Sequence, residues 1–419
     1  MCAMTQDNDK PDVSRRSTSK GKILLIFLSL SVLTIALVYQ PLPENFPQPW
    51  KYRFLSFGAH LFSKLGYLGE QVNLFDRIHV LRFLYYTFVG CFKIRNPEHH
   101  LQIYDRKILN VSVRIFEPEE LANVDQMPTI IHFHGGGFLL GCRDTYDQVT
   151  YALANLTRAL VISVEYRRVP EHYFPAAFDD CKLVAYELFQ NALKYRIDVN
   201  RIALVGDSAG GNLALVITQS LIRDGFNPRT ACLIYPALQF FDFTLPSYRL
   251  YLPRNILGVI NEENFLSVMS ELSESKVKVT RDILFNNHTS AEDKRRLRPY
   301  VNAGKHLPIS LPFDTDAEGN ENLVTNLNFL ISPKMSPLLV SDEELMQLPP
   351  IILFTTEFDI LRDEGFILAE RLKSLNKNLY HHHFPATFHG AHLLLYGPLK
   401  FDIAYEMVEH ISRKIRENL

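Results

Sequence analysis

From Asn110 onward, short runs of β-branched and aromatic residues alternate with stretches whose apolar positions recur at helical spacing. Val111 to Phe116, Thr129 to Phe133, Ala159 to Val164, Ile202 to Val205, Ala231 to Tyr235, Ile351 to Phe354 and Leu379 to Phe384 read as strands. Thr145 to Leu156, Ala176 to Leu193, Ala209 to Ile222, Arg362 to Leu375 and Phe401 to Ile415 read as helices. Such alternation predicts βαβ units, and with them an α/β domain on a mostly parallel sheet. Ala237 to Leu348 breaks the rhythm: it is far longer than one crossover needs and rich in Leu, Phe, Asn and charge, so it reads as an inserted cap. No internal repeat is visible.

A different pattern governs the N-terminus. Ile23 to Tyr39 carries no charge and would make roughly 26 Å of helix at about 1.5 Å per residue. That length suits the thin bilayer of the endoplasmic reticulum. Lys10, Arg15, Arg16, Lys20 and Lys22 precede it, whereas the first charges beyond it are Glu44, Lys51 and Arg53. The bias predicts a single-pass anchor with residues 1–22 in the cytosol and everything after Pro41 in the lumen. A cleaved signal peptide is the rival, but no pair of small residues stands at A-x-A positions after the run.

Pro41, Pro43, Pro47 and Pro49 then predict an extended, semi-rigid stalk. Trp50 to Phe92 is aromatic and mixed; its most apolar part, Ile78 to Phe92, is interrupted by His79 and Arg82. The region reads as helices that either pack on the core or lie against the bilayer, so residues 40–96 form a stalk and N-terminal cap region. The catalytic domain is expected over 97–419, with its cap at about 237–348. Three N-x-S/T sequons, at Asn110, Asn155 and Asn287, fall on the luminal side. Cys91, Cys142, Cys181 and Cys232 share that side, and four thiols allow three pairings.

Composition narrows the class. With 47% hydrophobic and 21% charged residues over 419 positions, the chain can bury a large core. Its 44 basic and 46 acidic residues leave a net charge of −2, which argues against a nucleic-acid partner held by a broad basic surface.

The strongest chemical signal is Gly206-Asp207-Ser208-Ala209-Gly210-Gly211, where a strand-like run meets a helix-like one. Gly-x-Ser-x-Gly in that setting is the pattern of a nucleophile elbow, whose strained turn exposes the serine and needs small neighbours. A Gly-rich phosphate loop is the bland alternative, weakened by the missing lysine. Upstream, the strand at Thr129 ends in His134-Gly135-Gly136-Gly137-Phe138. Glycines let backbone N–H groups approach a reacting oxygen, so Gly135, Gly136 and Ala209 are candidates for an oxyanion hole, with His134 and Gly137 completing the motif.

These motifs, with Glu165 to Ala177 (EYRRVPEHYFPAA), Asp359 to Asp363 (DILRD) and Phe388-His389-Gly390, resemble the hormone-sensitive-lipase-like branch of the α/β-hydrolases, most closely the arylacetamide deacetylase family. The resemblance runs from about Pro97 to the C-terminus, and the proposed anchor matches that family's type II layout. It implies an α/β-hydrolase fold with a helical cap. At Leu139 the chain departs from the pattern: the family's best-known member has a cysteine there, paired with one near the acid, so that disulfide is absent here.

A catalytic acid belongs in the turn after a late strand, and Ile351 to Phe354 is followed by Glu357, Asp359, Asp363 and Glu364. The resemblance selects Asp359, because the family's acid stands before I-L-R-D; Asp363 reads as a helix N-terminal charge. The histidine follows in the order Ser, Asp, His. His389 fits both order and motif, against His381, His382, His383 and His392. Metal binding by the histidine run lacks any matching Cys, Asp or Glu spacing.

The expectation is therefore serine acyl transfer by Ser208, His389 and Asp359 without cofactor or metal. The apolar cap and anchor point to a lipophilic small-molecule ester, or an aryl amide, reaching the site from the membrane side. A non-catalytic α/β-hydrolase-like binding or adhesion module is the alternative from another class; such modules usually lose the serine or histidine, and here all three candidates stand.

Overall fold

The computed structural model describes residues 39, 41–72, 77–90, 100–253, 262–307 and 313–419. All but the last residue of the apolar run Ile23 to Tyr39, and Cys91, lie outside them. Among the described residues no helix is long and apolar enough to cross a membrane.

Among the described residues eight strands form one sheet: β1 (Leu101–Ile108), β2 (Val111–Pro118), β3 (Met127–Phe133), β4 (Leu160–Glu165), β5 (Ile197–Asp207), β6 (Thr230–Ile234), β7 (Ile351–Phe358) and β8 (Leu379–Phe388), in the order β1-β2-β4-β3-β5-β6-β7-β8. From β4 across to β8 every neighbour is parallel. β2 joins β4 antiparallel, and β1 joins β2 antiparallel. Successive residues such as Ile130 and Ile131, or Leu204 and Val205, are fully buried, which is how a parallel sheet covered on both faces reads.

The helices are α1 (Pro49–Gln71), α2 (Arg77–Gly90), α3 (Arg143–Thr157), α4 (Ala176–Gln190), α5 (Ala209–Arg223), α6 (Pro246–Tyr251), α7 (Glu262–Glu271), α8 (Ala291–Leu297), α9 (Ala303–His306), α10 (Glu321–Leu327), α11 (Asp342–Met346), α12 (Arg362–Ser374) and α13 (Asp402–Asn418). The expected strands and helices are present with ends shifted by a few residues. β1 is an addition: its alternation stops at Tyr104, before the polar run Asp105 to Lys107, and most of its residues are exposed, so the apolar pattern does not announce it.

Two expectations change. The interval Ala237 to Leu348 holds short helices, α6 to α11, but its ends belong to the core: Leu238, Phe241, Leu338 and Leu345 are buried, and Leu338 N–H donates to Leu238 O at 3.0 Å. Asn212 on α5 ties both ends down, donating to Ala237 O and Met335 O at 2.8 and 2.7 Å. The cap proper is thus narrower than the interval. The proline segment, expected as a stalk, is docked: Phe46 is buried with its ring 4.5 Å from Tyr52, 4.9 Å from Phe358 and 5.3 Å from Phe388. Prolines set the local extension, but one aromatic side chain with a pocket decides where the segment lies.

Candidate active site

Ser208 stands alone between β5 and α5, with φ 55° and ψ −121°. This left-handed backbone is strained for a residue with a Cβ. It is held by Ser208 N–H donating to Ile234 O at 3.0 Å and by Ser208 O accepting from Asn212 N–H at 3.0 Å and Ala237 N–H at 3.1 Å. The flanking glycines are demanded by close approach: a Cβ on Gly206 would lie 2.2 Å from Gly210 O, and one on Gly210 would lie 2.0 Å from Phe133 O.

The other two candidates come from the ends of adjacent strands. β7 ends at Phe358 and β8 at Phe388, so Asp359 and His389 leave the sheet side by side, joined by His389 N–H donating to Phe358 O at 3.3 Å. His389 Nε2 is 3.0 Å from Ser208 Oγ, and its Nδ1 is 2.8 Å from Asp359 Oδ2. Asp359 is fully buried and also accepts from Thr356 Oγ1 at 3.1 Å and Leu361 N–H at 2.8 Å. Burial pulls the His389 pKa down, but the charge and hydrogen bond of Asp359 outweigh it and hold the ring above its usual 6.5.

The rival groups are committed elsewhere. Asp363 accepts from Ser247 N–H and Arg362; Glu364 accepts from Leu238 N–H and Tyr248 OH, and burial raises its pKa to about 8. Glu357 takes Arg362, Tyr251 and His383. His381 and His383 both meet Thr355 Oγ1 at 3.0 Å, and His382 packs on His410 with ring centres 4.3 Å apart. His392 is buried and bonds to Tyr235 OH.

The glycine loop requires a correction. Gly135 N–H donates to Asp207 Oδ1 at 3.0 Å, so it is engaged and cannot serve an oxyanion. Among the described residues nothing accepts from Gly136 N–H or Gly137 N–H, and Ala209 N–H heads α5, where no intrahelical acceptor exists. The oxyanion donors the geometry offers are therefore Gly136, Gly137 and Ala209. Gly136 has φ 116°, and a Cβ there would lie 2.3 Å from Leu140 O. His134 acts below the loop: its ring stacks on Tyr166 at 4.1 Å, and its carbonyl accepts from Tyr166 OH at 2.7 Å.

Asp207 was not singled out by the sequence, being the variable position of the elbow motif. It is buried, takes Tyr146 OH at 2.9 Å as well as Gly135, and burial raises its pKa to about 6. Tyr235, whose ring lies 4.5 Å from His389, completes this buried layer. No local pattern announces either residue.

Of the three remaining sequence candidates, Asn110 is exposed in the β1–β2 turn with φ 71°. Asn155 and Asn287 are half-buried, with Thr157 and Thr289 buried beside them. Cys142, Cys181 and Cys232 are buried free thiols, so no pairing forms among these three. The cap approaches the site at α7: a Cβ on Gly137 would lie 3.7 Å from Val268 Cγ1.

A serine on a strand-to-helix elbow, an imidazole and a buried carboxylate in line, and unengaged N–H groups beside them define an α/β-hydrolase of the serine type. Residues 130–301 and 317–393 match the family described as alpha/beta hydrolase fold. The chain is 30% identical to the arylacetamide deacetylase of Bos taurus, over 93% of this chain and 98% of that one. It is 29% identical to neutral cholesterol ester hydrolase 1 of Rattus norvegicus, over 94% and 99%. A solved structure of a Pyrobaculum calidifontis esterase superposes with a TM-score of 0.57 at 25% identity, covering 81% of this chain and 92% of the other. The chain belongs to the arylacetamide deacetylase family of α/β-hydrolases.

Proposed function

We propose that this serine hydrolase cleaves lipophilic carboxylic esters, with aryl amides as a second substrate class, through an acyl-enzyme on Ser208. The observation that carries the reading is the unbroken line Ser208–His389–Asp359 beside the free N–H groups of Gly136, Gly137 and Ala209. His389 Nε2 takes the Ser208 proton as Oγ attacks the carbonyl; Asp359 fixes the tautomer and stabilises the imidazolium. The three N–H groups receive the developing oxyanion, and His389 returns the proton to the leaving group. Water then repeats the sequence on the acyl-enzyme.

An apolar substrate is supported by the side chains that meet in a narrow cleft beside α5, where Phe138, Val169, Phe174, Leu213, Leu272 and Met335 outnumber the polar His172, Asn212 and Lys334. Arg167, which also lines it, is paired with Asp180 at 2.9 Å. A common acyl-enzyme is tested by adding methanol as a competing acceptor: esters sharing an acyl group but differing in alcohol should give one ratio of methyl ester to acid. A ratio that changes with the leaving alcohol would rule the intermediate out.

The cap reading gives a second test. Val268→Asp is expected to lower kcat/KM for long acyl esters about ten- to a hundredfold more than for acetate esters, because each methylene in an apolar pocket is worth roughly 1 to 3 kcal/mol. A folded variant with the parent chain-length profile would remove α7 from the specificity surface.

Residues 23–39 are proposed as the anchor of a type II protein of the endoplasmic reticulum, with the hydrolase domain in the lumen and Asn110 as the most accessible sequon. Alkaline carbonate should leave the chain in the membrane pellet, and an N-glycan-removing glycosidase should increase its gel mobility, less so for Asn110→Gln. Release by carbonate, with an N-terminus after Tyr39, would show a cleaved signal peptide.

A further inference from the structure

One face of α1 is covered by the fold and the opposite face is not. Tyr52 is buried with its ring 5.0 Å from Phe388, and Ser56, Gly66 and Gly69 are buried on the same side of the helix. On the other side Trp50, Phe54, Leu61, Leu65, Leu68 and Val72, separated by three, four or seven residues, are 44 to 69% exposed. At 100° per residue they form a single stripe along the whole helix. A soluble surface seldom leaves so long an apolar row in water.

The occupant is indicated by where the stripe begins. Tyr39, the last residue of the uncharged run, and Trp50, the first of the stripe, both hold the Arg53 guanidinium over their rings, at 4.7 and 4.9 Å. The end of the apolar run is therefore seated beside the head of the exposed row. Tyr, Trp and Arg together are the residues of a membrane–water interface, and Lys64 lies exposed along the same edge of the stripe. α1 itself is not apolar enough to cross a bilayer.

We infer that α1 lies in the plane of the phospholipid surface, its apolar row sunk to the boundary between headgroups and acyl chains. The inference rests on reading residues 23–39 as a membrane anchor, and it adds a second contact that fixes how the domain faces the lipid. A flat helix of 23 residues spans roughly 34 Å, enough to stop the domain from pivoting on the anchor. α2 packs along α1 and carries the orientation to the site: Arg82 donates to Leu139 O at 2.9 Å and Val169 O at 2.5 Å, beside the loop that holds Gly136 and Gly137. A lipophilic ester leaving the bilayer would thus meet the enzyme on a fixed side.

Trp50 is the single tryptophan of the chain, which makes the test direct. The full chain is reconstituted in phosphatidylcholine vesicles carrying a doxyl label either high on the acyl chain or near its end. Trp50 emission should shift to the blue and lose more intensity to the shallow label than to the deep one, while aqueous iodide has little effect. Proximity to the anchor alone could do this at position 50, so the same measurement is made on W50F/L65W, whose tryptophan lies at the far half of α1. Shallow-label quenching there supports a flat helix; iodide quenching without lipid quenching there overturns it, even with the chain retained after carbonate. A chain released by carbonate would remove the anchor on which the inference rests, a failure distinct from iodide quenching at position 65 in a retained chain.

Discussion

Ser208→Ala is expected to lower kcat for an ester by about 10⁶-fold, the scale seen when a triad serine is removed from a serine hydrolase. The variant loses the oxygen that His389 Nε2 faces at 3.0 Å, so no acyl-enzyme can form. It keeps the backbone bonds to Ile234 and Asn212 that hold the elbow, and an unchanged circular dichroism spectrum would show the fold intact. The residual rate, from the oxyanion donors and binding alone, should still exceed that in water by roughly 10³. A folded variant that retained a tenth of the parent rate would place the nucleophile elsewhere.

Asp359→Asn is expected to cost about 10⁴ in kcat, since an amide can hold the imidazole in the wrong tautomer while keeping its place. It should also move the pH profile. The reaction needs neutral His389, and the carboxylate raises that pKa above 6.5 by outweighing burial. The parent's acid limb is therefore centred above 6.5, and loss of the charge leaves burial dominant, shifting the limb to lower pH. Asp363→Asn is the control: it loses contacts to Ser247 N–H and Arg362, which lowers stability but leaves the limb in place. A larger kcat loss in the folded Asp363 variant would reverse the assignment.

What could be read from the sequence follows from how local each signal is. The change from strand to helix period at Ser208, with glycine on either side, is written within ten residues, and so is the strand ending at His134. Asp359 and His389 stand at the ends of apolar strands whose parallel pairing brings them together, which makes their positions legible once chain order is assumed. The role of Gly135 is not legible locally, because the partner that occupies its N–H, Asp207, is 72 residues away. The contact of Tyr235 with His392 spans 157 residues, and nothing in either neighbourhood marks it. Strand β1 is hidden because its apolar residues, Leu101, Ile103, Tyr104 and Ile108, do not alternate through the polar run Asp105 to Lys107. The docking of Phe46 between Phe358 and Phe388, directly before the acid and the histidine, was hidden by a proline pattern that reports extension and not position.

Mass spectrometric mapping of a fluorophosphonate adduct on the full-length chain tests the catalytic assignment most directly. A fluorophosphonate phosphonylates a serine activated by its own base and oxyanion donors, the Oγ bonding to phosphorus as fluoride leaves. One adduct per chain is expected, on the peptide containing Gly206 to Gly211 and localised to Ser208. An adduct on another residue, or an unmodified chain under conditions that label a control esterase, would contradict a Ser208 nucleophile.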